Sequence, residues 1–151
     1  MGARRIPAVT PGGLGPTQLA LAVLGAVSIL PPYLGPAVGL ELDVRAKVEV
    51  VDHMVPGLVV VVCGALAALL ARRGEAVAEG ALALGLTGLC FLAGLWQTAT
   101  HVPLVLDAGG RATPWDAVLL HSTVGPVIAA LALWLTLRTP DGHSAGVRSS
   151  G

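Results

Sequence analysis

Charge is scarce in this sequence. Of its 151 residues 12% are Asp, Glu, Lys or Arg, about half the complement of a soluble domain. That scarcity excludes an ordinary water-soluble globule and a solvated disordered chain. Nine basic side chains balance nine acidic ones, so there is no electrostatic footprint for nucleic acid or another polyanion. Aromatics are few as well, one Phe, one Tyr and three Trp. The two cysteines, Cys63 and Cys90, lie 27 residues apart among apolar neighbours. They make no Cys-x-x-Cys pair for thiol–quinone chemistry and read as small packing residues. No Gly-x-Ser-x-Gly, His-Glu-x-x-His or phosphate-binding glycine loop occurs, so no catalytic set is named.

Apolar residues dominate, at 54% of the chain and a mean hydropathy of +0.79. The charges cluster, leaving uncharged stretches over 6–40, 53–71, 80–106 and 117–137. Each holds the roughly 20 residues needed to cross a hydrocarbon core. The expected fold is an all-α, integral membrane four-helix bundle occupying 17–139. Its spans are about 17–40, 52–71, 75–101 and 114–138, between a disordered head (1–16) and tail (140–151). Pro31-Pro32 and Pro36 predict a kink in the first span. Asp52 is the expected N-cap of the second, and Pro103 is expected to stop the third near His101. Thr113-Pro114-Trp115-Asp116 reads as a capping box opening the fourth.

Basic residues predict the orientation. A cytoplasmic N-terminus puts Arg4, Arg5, Arg72, Arg73, Arg138 and Arg148 inside and leaves Arg45, Lys47 and Arg111 outside, in line with the positive-inside rule. An inner-membrane protein with both termini cytoplasmic is expected. Arg4-Arg5 before an apolar run resembles the start of a secretory signal, but that run is about twice a signal's length. Trp96 and Trp115 fit an outer aromatic belt and Trp134 an inner one. Residues 40–50 alternate apolar and polar, the period of a strand, and Leu104–Leu106 is its candidate partner.

No Asp or Glu falls inside a span, which argues against a carboxylate-relay transporter. The polar groups that do fall there include three of the four histidines; the fourth, His143, lies in the tail and is given no role. His53 and His121 each begin a His-x-x-x-Gly pattern, with Gly57 and Gly125 one turn on. His53 precedes Arg72 by 19 residues and His121 precedes Arg138 by 17, placing both imidazoles about 26–28 Å from the inner end. Gln97 and His101, four residues apart, share a face at a similar level. Tyr33 reaches it if the first helix survives its prolines. A polar layer of Tyr33, His53, Gln97, His101 and His121 near the outer leaflet is expected.

The repeated pattern also suggests a duplicated helical hairpin, with His53 and His121 facing each other across the bundle axis. Imidazoles in that relation suit haem b, with Gly57 and Gly125 admitting the flat porphyrin. They equally suit copper or zinc held by His53, His121, His101 and Met54. Tyr33, Asp52 and Gln97 would support the ligands from behind. The alternative is a cofactor-free polar layer in an accessory, assembly or structural subunit of a larger membrane complex. Its homo- or hetero-oligomeric contacts would use the small-residue stripes Gly64-x-x-x-Ala68, Ala67-x-x-x-Ala71 and Ala81-x-x-x-Gly85. The lipid bilayer is the one partner that composition names directly.

Overall fold

The computed structural model describes residues 15–39, 46–73, 81–108 and 115–138. In chain order the helices are α1 (Gly15–Ile29), α2 (Pro31–Ala37), α3 (Ala46–Glu49), α4 (Val55–Arg73), α5 (Ala81–Ala108), α6 (Trp115–Ser122) and α7 (Val124–Arg138). One π-helical turn, Val50–Met54, joins α3 to α4. Among the described residues there is no strand. Val50–Arg72, α5 and Trp115–Arg138 are each long and apolar enough to cross a membrane, and α1 with α2 makes a fourth if the bent pair is one span.

The expected kink is present: α1 and α2 meet at 53°. Pro31 and Pro32 have no N–H to continue the ladder of α1, but they suit the first turn of a new helix. That second helix closes on Gly39, whose φ of +73° is the left-handed conformation usual after a helix end.

Three expectations are corrected. The strand over 40–50 is helical from Ala46 onward, and its supposed partner Leu104–Leu106 is the last part of α5; residues 40–45 lie outside the described set. A strand without a partner leaves its N–H and C=O groups unpaired beside lipid, whereas a helix pairs them within the segment. Asp52 is not an N-cap but an interior residue of the π turn. The third span does not stop near His101, since α5 runs through Pro103 to Ala108. Only the Ala99 carbonyl loses a helical donor there, a loss that helices in apolar surroundings absorb.

The fourth span breaks at Thr123, three residues before Pro126. Leu119 O accepts from both the backbone N–H of Thr123 (3.2 Å) and its hydroxyl (2.6 Å), which carries the chain across the break. Thr113 and Pro114 of the capping box, the start of the third span (75–80), and the tail lie outside the described residues, as does all of the head except Gly15 and Pro16, which open α1.

Packing is inverted relative to a water-soluble bundle. Large apolar side chains point outward: Leu58 is 58% exposed, Leu92 61% and Leu137 77%. Small residues such as Ala22, Ala67, Ala93 and Ala132 are buried. This suits a solvent as apolar as leucine, in which close backbone approach is what holds helices together. The glycines show it directly. A Cβ on Gly25 would lie 2.7 Å from Val61 N, and one on Gly64 would lie 2.8 Å from Ala22 N. One on Gly94 would lie 2.6 Å from Ala129 N. No side chain larger than hydrogen fits these crossings.

Candidate metal centre

Each histidine sits where a proline has loosened its helix. Pro56 follows His53 by three residues and cannot donate to the Asp52 carbonyl. The wider π turn falls at that point and carries His53. Pro103 follows His101 by two residues and Pro126 follows His121 by five. All three rings are buried, with 4% exposure for His53, 7% for His101 and 6% for His121. The His53 and His101 ring centroids are 4.8 Å apart, and those of His53 and His121 5.6 Å. The structure therefore brings together three of the expected layer residues, one each from the π turn, α5 and α6.

Each ring faces a main-chain oxygen through Nδ1, and Thr100 Oγ1 also lies 3.2 Å from His101 Nδ1. His53 Nδ1 lies 3.1 Å from Ser28 O, His101 Nδ1 2.7 Å from Gln97 O, and His121 Nδ1 3.0 Å from Ala117 O. A carbonyl oxygen only accepts, so each Nδ1 carries the hydrogen and donates it. In a neutral ring the other nitrogen then accepts. His53 Nε2 and His101 Nε2 stand 3.1 Å apart, a contact that one hydrogen or a cation between them can bridge. Two imidazole ligands on one tetrahedral ion, each about 2.05 Å from it, have their nitrogens roughly 3.3 Å apart. The observed pair is within a few tenths of an ångström of that separation.

Among the described residues no three ligating side chains close on one point. Backbone carbonyls that orient all three rings through Nδ1 are the usual outer support of histidine ligands.

The remaining expected participants are placed differently. Tyr33 is 58% exposed, and its hydroxyl donates to the Met54 sulfur at 3.3 Å. Met54 is on the bundle surface, 37% exposed. Asp52 is half-buried beside His53. Gln97 supports His101 with its main chain, while both ends of its buried side-chain amide have no hydrogen-bond partner. Neither Gly57 nor Gly125 faces open space. A Cβ on Gly57 would lie 2.6 Å from Ser28 Oγ, and one on Gly125 2.8 Å from Gln97 Cβ. Neighbouring helices take the room that a porphyrin would need over these glycines.

Sequence reasoning missed Ser28, whose carbonyl holds His53, and the π turn that aims that ring. The proline a few residues after each histidine was the available signal. Comparison with protein-family models, with curated proteins and with solved structures finds no match to this chain.

Proposed function

We propose that this chain is an inner-membrane protein of four spans, with both termini cytoplasmic, that binds a transition-metal ion at His53, His101 and His121 near its outer end. The observation that carries this reading is the approach of two Nε2 atoms to 3.1 Å while both Nδ1 atoms face carbonyl acceptors. An ion between them takes a bond from each, and His121 supplies a third donor once its ring turns. Copper and zinc both accept imidazole nitrogen. Haem b is disfavoured because the helix contacts at Gly57 and Gly125 fill the space it requires. The role proposed is to hold an ion, in keeping with the lack of a nucleophile or carboxylate pair beside the triad among the described residues.

The test is metal content of the purified protein. About one ion per chain is expected, falling in His53→Ala and His101→Ala; a metal-free wild-type protein after loading with copper and zinc would refute the reading. Orientation is tested separately on a Cys63→Ala/Cys90→Ala background. Probes at Lys47→Cys and Asp107→Cys should react from outside intact cells, whereas Gly74→Cys and Ser144→Cys should not.

A second reading, an accessory subunit in a larger assembly, is favoured by one observation. Gly64 and Ala68 are consumed inside the bundle, but Gly85 has nothing within 4 Å of an added Cβ and Ala81 is exposed. The Ala81-x-x-x-Gly85 stripe is thus left for a second copy or a partner helix. Gly85→Leu should abolish any oligomer seen by cross-linking in native membranes while leaving metal content unchanged.

A further inference from the structure

The short helix α2 bridges two of the elements that carry the histidines. It lies against α6, which holds His121. Its Tyr33 hydroxyl donates to the sulfur of Met54, the residue after His53, at 3.3 Å. The helix is otherwise lightly held. Only Pro31 and Gly35 are buried, while Tyr33, Leu34 and Val38 are exposed. Among the described residues no main-chain hydrogen bond runs directly from α2 to α1. The Leu30 N–H donates to Val27 O in α1, and Leu30 O accepts from Tyr33 and Leu34 in α2. Leu30 is the joint, because Pro31 and Pro32 have no N–H to tie the two helices together. The carbonyl that Pro32 leaves without a helical donor is Ser28 O, which accepts from His53 Nδ1 instead. Ser28 belongs to α1, so α2 can swing about Leu30 without releasing that ring.

The neighbouring elements are anchored more firmly. In α6, Ala117 and Val118 are fully buried, and two hydrogen bonds from Thr123 to Leu119 O cross the break into α7. Helix α5 is unbroken over 28 residues. Segments with few buried contacts open at the least cost. Some opening is required, since all three imidazoles are buried and an ion in water does not reach their Nε2 atoms.

We infer that α2 is a lid on the histidine centre, pivoting at Leu30 and held shut by the Tyr33 hydroxyl on the Met54 sulfur, and that its opening sets how fast an ion enters and leaves. This rests on the reading of the triad as a metal centre and adds control of access to it. A thioether is a weak acceptor, so thermal motion breaks the closing bond readily. Neither partner of that bond is one of the three ligands. Opening therefore changes entry and exit by one factor and leaves the affinity where it was.

The test is stopped-flow loading of the purified full-length chain in detergent with zinc or copper, followed by chelator-driven release. Tyr33→Phe and Met54→Leu nearly keep the size of each side chain and remove the bond. Each should speed both loading and release by about 2–10-fold, the range to which one net hydrogen bond corresponds, with affinity unchanged. The double variant should match either single one, because the bond is lost only once. On a Cys63→Ala/Cys90→Ala background, Tyr33→Cys/Met54→Cys joined by a cleavable bifunctional thiol reagent should not load, and cleaving the linker should restore loading. Rates that neither single variant nor the linker alters would overturn the lid while leaving the triad intact. Effects that add in the double variant would show that the two side chains act separately, and would overturn the closing bond. Faster release with unchanged loading would mean a loosened centre rather than an opened one, and would also overturn the lid. A wild type that retains neither ion would refute the triad reading and the lid with it.

Discussion

In the first helical hairpin Gly25 of α1 would meet Val61 N, Gly57 O and Val60 if it carried a Cβ. In the second, Gly94 of α5 would meet Ala129 N, Gly125 O and Ile128. The two contact sets superpose in sequence with an offset of 68 or 69 residues. His53 and His121 obey the same offset. The packing of the hairpin is therefore repeated, as the paired His-x-x-x-Gly pattern suggests. The chemistry is not. At the offset that relates Gly25 to Gly94, His101 corresponds to Pro32, where the first hairpin bends by 53°. In the second hairpin α5 continues through Pro103 and carries His101 into the centre. Two prolines in succession break a helix, while one is absorbed. That difference gives the bundle three histidines rather than a symmetric two.

The largest effects should come from the repeated crossings. Gly25→Leu and Gly94→Leu should each prevent folding, and the milder alanine substitutions should cost about 1–3 kcal/mol through overpacking. Thermal unfolding in detergent measures this. Gly85→Ala, with open space around it, should be neutral or stabilise by up to about 1 kcal/mol through helix propensity. A harmless Gly94→Ala beside a damaging Gly25→Ala would break the equivalence of the two hairpins.

Metal affinity should separate the histidines next. His53→Ala and His101→Ala remove the preset pair and should weaken binding by about 100-fold or more, whereas His121→Ala should cost about tenfold, on the scale known for supporting residues. Equal losses at all three positions would mean that His121 is as well placed as the other two. Competition titration with a chelator of known affinity distinguishes the cases.

Acidification gives a related but smaller signal. An ion held by the imidazoles competes with protons for the same nitrogens, so binding should weaken on acidification. Equilibrium dialysis over a pH series should show a steeper loss for wild type than for His121→Ala, which has one fewer imidazole to protonate.

The smallest expected effect on metal affinity is at Gln97. Its amide is buried without a partner, so Gln97→Leu should raise stability by about 1–3 kcal/mol. Metal affinity should be unchanged, because the main-chain carbonyl that holds His101 remains. A large loss of affinity would show instead that the amide serves the ion.

Much of this architecture is legible in one dimension because it depends on composition and spacing. Uncharged stretches locate the apolar helices, and the Pro31-Pro32 pair locates the bend. The rise per residue puts His53, Gln97 and His121 at one depth and His101 about one turn farther out. The strand expected over 40–50 failed because a period of two states only what a strand would look like. It does not state whether a partner exists to accept its hydrogen bonds. Pro103 misled for a similar reason: local sterics disfavour helix before a proline, and apolar surroundings make leaving the helix costlier than one lost bond.

The sequence by itself determined that the chain is helical and apolar, that its polar side chains are few, and that His53 and His121 share a level. Those properties follow from side-chain type and helix geometry, which need no tertiary contact. The tertiary structure alone decided which nitrogen of the His53 ring faces inward, because that depends on Ser28 O, supplied by another helix. It also decided that Gly57 and Gly125 receive neighbouring helices, and that Cys63 and Cys90 enter one core cluster. In each case the deciding partner lies on a different helix, and where two helices cross is a property of the packed bundle.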